Sequence, residues 1–210
     1  MFYLKFKRFY DFVLALVGII VLMPLMLIII IAIKLDSKGP ILFKQKRVGK
    51  NKTHFNIYKF RTMKIETPQE TPTHLLDNPD QWITRIGKFL RKTSLDELPQ
   101  LFNILKGDMS FVGPRPALWN QFDLIEERDK YGANDVLPGI TGWAQVNGRD
   151  VLLIPDKARL DGVYIKKIGL MTDIKLVVKT FLIVLRRDGN VEGGTGSIYH
   201  TRQVKIKERK

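Results

Sequence analysis

The sequence predicts an α+β fold, predominantly helical, in which an N-terminal re-entrant membrane helix leads through a small β-hairpin into a helical domain with interfacial amphipathic helices. Three observations predict it: an uncharged run over residues 12–33, strand-like stretches on either side of Gly49-Lys50-Asn51-Lys52, and helical periodicity recurring from residue 83 onward. The expected division is a membrane segment at 1–36, a domain at 37–196 and a basic tail at 197–210.

The apolar run is 22 residues long, enough to cross the hydrocarbon core as a helix and too long for the apolar region of a cleaved leader. Pro24 lies at its middle, where it deletes a backbone hydrogen bond and predicts a kink. Both flanks are basic, with Lys5, Lys7 and Arg8 before the run and Lys34, Lys38, Lys44, Lys46 and Arg47 after it. The positive-inside rule keeps both in the cytoplasm, so the helix is expected to break at Pro24 and leave by the leaflet it entered. A kinked single span is the other arrangement the run allows.

Ser37-Lys38-Gly39-Pro40 reads as a turn, and Ile41-Leu42-Phe43 and Phe55-Asn56-Ile57-Tyr58-Lys59-Phe60 as the strands of a hairpin. Residues 66–80 are polar and contain Pro68, Pro72 and Pro79, a loop composition. Helical patterns follow around residues 83–91, 98–106 and 117–131. Over 170–187, Asp173, Lys175, Lys179, Arg186 and Arg187 oppose Val177, Val178, Phe181, Val184 and Leu185. That pattern suits a helix lying on a membrane with its basic side toward anionic headgroups, and equally a helix covering the protein's own core.

A chain of 210 residues with 45% hydrophobic content supports one compact domain plus an appendage. A formal charge of +14 suits phosphate-bearing partners, either nucleic acid or an anionic membrane surface. The absence of cysteine excludes disulfides, zinc-thiolate sites and cysteine nucleophiles, which fits a domain facing the cytosol. His54, His74 and His200 lack metal-ligand spacing, and neither a Walker loop nor GxGxxG is found.

Three clusters carry groups able to do chemistry. In Thr93-Ser94-Leu95-Asp96-Glu97-Leu98-Pro99 two adjacent carboxylates precede a helix expected to start near Asp96, because Pro99 is comfortable only in a first turn. Asp96 is then either a helix cap, or a carboxylate held beside Arg91 and Lys92 where phosphate and a divalent cation are bound. In Gly113-Pro114-Arg115-Pro116 two prolines stiffen the backbone around an arginine suited to phosphate, or simply form a rigid loop. In Pro138-Gly139-Ile140-Thr141-Gly142-Trp143-Ala144-Gln145-Val146-Asn147-Gly148-Arg149, the glycines permit close backbone approach and Arg149 ends the loop, which as a plain connector would do no chemistry.

Together, in this order and spacing, the clusters resemble the bacterial sugar transferases, specifically the small monotopic phosphoglycosyl transferases that start glycan assembly on undecaprenyl phosphate. The resemblance runs from Lys7 to about Gly196 and includes the proline-containing helix, Phe43-Lys44-Gln45-Lys46-Arg47-Val48-Gly49 and Tyr58-Lys59-Phe60-Arg61-Thr62-Met63. It implies a catalytic domain at the cytoplasmic face of the bacterial inner membrane, Asp96 and Glu97 as catalytic pair and metal ligands, and Mg2+ as cofactor. Arg91, Arg115 and Arg149 would bind substrate phosphate, and Pro24 would break the re-entrant helix. The implied partners are a UDP-sugar and polyprenyl phosphate, and the implied reaction passes through an aspartyl phosphosugar with release of UMP. Departures lie at Ile154-Pro155-Asp156-Lys157-Ala158 and Val163-Tyr164, which bear on the choice of sugar, and at Met23, where many relatives have serine before the proline. A rival of another class, a membrane-anchored basic protein binding nucleic acid, lacks the aromatics interleaved through basic runs that base stacking needs. Galactose or glucose instead of an acetamido sugar is the nearer alternative.

Overall fold

A computed structural model describes residues 2–67, 79–148 and 152–186. The chain is mostly helical, in the order α1 (Phe2–Asp36), β1 (Leu42–Val48), β2 (His54–Phe60), α2 (Arg85–Thr93), α3 (Gln100–Lys106), β3 (Ser110–Val112), α4 (Phe122–Asp129), β4 (Gly139–Thr141), α5 (Ile154–Lys166) and α6 (Leu170–Arg186). The expected hairpin is present and longer than its apolar residues suggest, with β1 antiparallel to β2 and Phe43 opposite Lys59. A second, parallel pair joins β3 to β4 across α4. Both that pair and α5 fall in stretches that the sequence left unassigned.

The helix α1 is the one described helix long and apolar enough to cross a membrane. It does not break at Pro24: helical structure runs through the proline. Lys7, Asp11, Ala15, Ile19, Met26, Ile29 and Ile33 are all buried, at spacings of three, four and seven that keep one face against the domain on both sides of Pro24. Ala15 and Ile19 pack with Ile57, Leu101, Ile104 and Met109, and Met26, Ile29 and Ile33 with Phe60 and Leu90. Packing of both halves offsets the single hydrogen bond that proline removes. The other face exposes Phe9, Leu14, Val17, Ile20, Val21, Leu27, Ile28 and Ile31.

The N-terminal end of α1 is fastened to α6 by a buried polar cluster. Lys7 pairs with Asp173, whose carboxylate also accepts hydrogen bonds from the hydroxyls of Tyr3 (2.8 Å), Tyr10 (2.9 Å) and Tyr164 (2.9 Å). A buried ion pair is tolerable only when its remaining hydrogen-bonding capacity is met, and three phenols meet it. A second buried pair, Arg128 with Asp161 at 2.6 Å, joins α4 to α5.

The helices begin and end differently from expectation at the point that matters most. Thr84 caps α2, its hydroxyl accepting from the amide of Gly87 at 3.0 Å. Among the described residues Asp96 caps no helix: it lies in a 3-10 turn at Leu95–Glu97, and α3 begins only at Gln100, after Pro99. The third helical pattern shortens to α4, because Ala117 and Leu118 pair with the hairpin instead, the amide of Val48 donating to the Ala117 carbonyl at 3.0 Å. The prolines at 68 and 72, His74, His200, Arg187 and the basic tail lie outside the described residues, as does Arg149.

Gly87 offers a test in which two effects have opposite sign. Alanine in a helix interior is ordinarily better than glycine by about 1 kcal/mol. Here a Cβ would stand 2.0 Å from the carbonyl oxygen of Thr62, against backbone that cannot swing aside. Overpacking of this kind costs about 1–3 kcal/mol, so Gly87→Ala should lower the thermal unfolding midpoint of the detergent-solubilised chain. A raised midpoint would show that α2 does not press on the strand exit in this way.

Candidate functional site

The turn between α2 and α3 gathers charge from four separate segments. Ser94 closes α2 in the left-handed region (φ 57°) and the chain reverses there. Leu95 and Leu98 then pack toward the Met26–Leu90 cluster, leaving Asp96 and Glu97 to face the hairpin. Lys59, on β2, reaches both carboxylates: its ammonium donates to Glu97 Oε1 at 2.7 Å and stands 3.7 Å from Asp96 Oδ2. Arg115 donates to the same Glu97 oxygen at 2.8 Å. Arg91, in the last turn of α2, adds positive potential at Asp96.

Lys59 and Arg115 are each held by a support of their own. The edge of β2 is strapped to α3 by Asn103, fully buried, whose amide nitrogen donates to the Asn56 carbonyl (2.8 Å) and whose oxygen accepts from the Tyr58 amide (3.0 Å). That fixes the strand one residue from Lys59. Arg115 leaves β3 through Gly113 and Pro114, and the β3–β4 contact is too close for side chains: a Cβ on Gly139 would lie 2.1 Å from the Gly113 nitrogen. Gly139 and Gly142 of the third cluster therefore serve strand packing, and through it the seat of Arg115.

The two neighbouring carboxylates end in opposite electrostatic states. Burial pushes the Asp96 carboxyl up, and the nearby Glu97 charge adds to this; Lys59, Arg91 and Arg115 lower it but do not win. Burial also acts upward on Glu97, but there Arg115 and Lys59, each both near and hydrogen-bonded, prevail and hold it well below the usual carboxylate range. Among the described residues no hydrogen bond to Asp96 is found, whereas Glu97 Oε1 takes two. A pair of acids whose surroundings drive their proton affinities apart is the usual arrangement for dividing two chemical roles.

Of the residues singled out from sequence, the structure brings Asp96, Glu97, Arg91 and Arg115 together; Pro24 lies within α1, outside this cluster. Arg149 follows the described Gln145–Asn147 turn, and its side chain is outside the described residues. Lys59 is the residue that sequence reasoning missed as a site member. The alternation of β2, with Ile57 buried and Phe60 beside it buried, marked Lys59 as no more than a strand lysine, and only the docking of the hairpin on α3 reveals its partners. No group of three or more potential metal-ligating side chains is found among the described residues. Two adjacent carboxylates are nevertheless the donor set with which Mg2+ is commonly held, the remaining positions going to water and substrate phosphate.

Comparison with known proteins places the chain in a family. The chain is 42% identical over 185 residues to the undecaprenyl-phosphate glucose phosphotransferase of Komagataeibacter xylinus, covering 83% of this chain and 35% of that protein. It is 41% identical over 189 residues to the UDP-N-acetylgalactosamine-undecaprenyl-phosphate N-acetylgalactosaminephosphotransferase of Aeromonas hydrophila, covering 87% and 44%. With the sugar transferase EpsL of Bacillus subtilis it shares 39% identity over 184 residues, 87% of this chain and 89% of that one. The chain thus spans well under half of the first two relatives and most of the third. The family model for bacterial sugar transferases matches residues 2–187, nearly every residue that builds the helix, the hairpin and the charged turn, and the chain belongs to that family.

Proposed function

We propose that this chain transfers a sugar 1-phosphate from a UDP-sugar to undecaprenyl phosphate in the cytoplasmic leaflet, starting a membrane-bound glycan. The observation that carries the reading is the asymmetry of the carboxylate pair. Asp96 is buried, raised in proton affinity and without a hydrogen bond among the described residues, which suits a nucleophile, while Glu97 is locked by two cations and suits a fixed electrostatic support.

In the first step a carboxylate oxygen of Asp96 attacks the phosphorus that bears the sugar, forming an acyl phosphate as the P–O bond to UMP breaks. In the second, a phosphate oxygen of the lipid attacks the same phosphorus, the bond to Asp96 breaks, and a lipid diphosphate sugar leaves. Arg91 and Arg115 stand where they can bind phosphate oxygens, and Arg149 is assigned the same role from the family pattern. Asp96 and Glu97 would hold Mg2+, which would neutralise the donor diphosphate. The relatives are named for glucose in one case and N-acetylgalactosamine in another, so the sugar is left to a panel of donors.

The membrane reading has its own support. Both halves of α1 pack on one domain, so neither can lie across a bilayer from it, and both flanks are basic. The outer face of α6, with Met171, Ile174, Val178 and Phe181 exposed, suits a helix lying in the interface of the same leaflet.

Three outcomes are expected. With donor and Mg2+ but no lipid, the chain should release about one equivalent of UMP and carry a sugar-phosphate adduct by intact mass, and Asp96→Asn, still folded, should do neither; UMP that needs the lipid would refute the two-step route. The rate should fall with acid as Asp96 takes up its proton, at a pH above that of an ordinary aspartate. In Glu97→Gln a raising charge is gone and Lys59 and Arg115 are left to Asp96, so the acid limb of whatever activity remains should move to lower pH; an unmoved limb would show that Glu97 does not set Asp96. Single cysteines at positions 2 and 38 of this cysteine-free chain should both resist a membrane-impermeant thiol reagent in intact cells, and labelling at position 2 alone would indicate a span.

A further inference from the structure

The mechanism leaves one charged feature without a task. A cleft of about 340 Å3 opens between the Gln145–Asn147 turn and the first half of α6, and three ammonium groups line it: Lys167, Lys175 and Lys179. No carboxylate lines it, and no ion pair to any of the three is found among the described residues. Lys167 lies 5.6 Å from the ring centroid of Trp143, and the Lys179 ammonium makes a long contact of 3.4 Å with the Asn147 side-chain oxygen. Three cations around one concavity, with no acid paired to them among the described residues, repel one another unless an anion joins them. Thr172 and Asn147 add polar groups to the same walls.

The position of these lysines on α6 narrows the ligand. At about 100° per residue, α6 divides into a buried side with Asp173 and Leu176, and an exposed apolar side with Met171, Ile174, Val178, Phe181 and Leu182. Lys175 and Lys179 fall on the border between the two. A free nucleotide or inorganic phosphate would satisfy the lysines and leave the adjoining apolar stripe in water. A molecule with a phosphate head and acyl chains satisfies both, with lysine stems lying along the apolar boundary. Asp96, Glu97, Lys59 and Arg115 are not among the lining residues, so this is not the site of phosphoryl transfer.

The geometry points to a seat for the phosphodiester headgroup of an anionic bilayer phospholipid, such as phosphatidylglycerol, in the cleft between the Gln145–Asn147 turn and α6. The inference rests on the interfacial placement of α6 proposed above. A bound headgroup would pin the helix that carries Asp173, and with it the N-terminal end of α1, at a set depth.

The test uses the full chain in detergent, with short-chain phosphatidylglycerol, short-chain phosphatidylcholine and inorganic phosphate as separate probes, and bound molecules counted by native mass spectrometry. One phosphatidylglycerol should be retained at concentrations where phosphatidylcholine is not, and inorganic phosphate in equal amount should not displace it. Lys175→Gln with Lys179→Gln should weaken retention at least tenfold. Lys50→Gln with Lys64→Gln, the same charge change at exposed positions elsewhere, should alter it less than twofold. Equal loss in both double variants would reduce the effect to diffuse charge, displacement by phosphate would make it a free-anion site, and displacement by polyprenyl phosphate, added as a fourth probe, would make it a carrier-lipid site. Each of those overturns the proposal. A nitroxide on Ile174→Cys in nanodiscs separates the two layers of the argument: a label in the bilayer without lipid retention sinks only the headgroup seat, whereas a label in water sinks the interfacial placement itself.

Discussion

Two adjacent carboxylates in the bend between α2 and α3, Asp96 buried and Glu97 half-buried, are the constraint that the surrounding structure answers. Removing a carboxylate from water costs several kcal/mol after relaxation, unless opposite charge and hydrogen bonds replace the solvent. Asp96 and Glu97 receive that charge from Lys59, Arg91 and Arg115, and no two of these cations come from the same element. For Glu97 the replacement is more than sufficient; for Asp96 it falls short. The difference arises from contact geometry, because the two short bonds both end on one oxygen of Glu97 and Lys59 is 3.7 Å from Asp96.

Delivering three cations to one bend explains much of the remaining architecture. The hairpin must dock on α3 for Lys59 to arrive, and the Asn103 amide, donating to one strand residue and accepting from another, permits a single register. The Pro-Arg-Pro segment must be held for Arg115 to arrive, and β4 holds it by lying against Gly113 more closely than any side chain would allow. Behind β3, the Tyr164 hydroxyl approaches both the Val112 carbonyl (3.1 Å) and Asp173, linking the strand that presents Arg115 to the cluster anchoring α1.

The same links join the charged bend to the apolar surface. One face of α1 is a wall of the protein core while the opposite face is apolar and uncovered, and α6 repeats this division on a shorter scale. Helices buried on one side and apolar on the other tie the charged bend to any apolar phase that their exposed side would enter, because apolar surface leaving water gains about 25 cal/mol per Å2 and the buried side is fixed to the domain.

Much of this was legible in the sequence, for reasons that are local. An apolar run, strand alternation and the order of the acidic, Pro-Arg-Pro and glycine-rich clusters depend on neighbours along the chain, so the long apolar helix, the hairpin and the segments that bring Asp96, Glu97, Arg91 and Arg115 together could be read directly. Lys59 could not be assigned, since its partners lie some 38 residues away and a strand lysine looks alike with or without them. Nor could the uncapped state of Asp96, because a proline three residues on is compatible with a helix that starts early or late, and the packing of Leu95 and Leu98 decides between them. The unbroken course of α1 through Pro24 likewise depends on burial of both halves against residues brought from β2, α2 and α3. Sequence determined which chemical groups this protein has and which segments avoid water. The tertiary structure alone decided which of two neighbouring acids is neutralised, because Coulomb energy depends on distances that close only when the hairpin, α2 and the β3 exit meet at one bend.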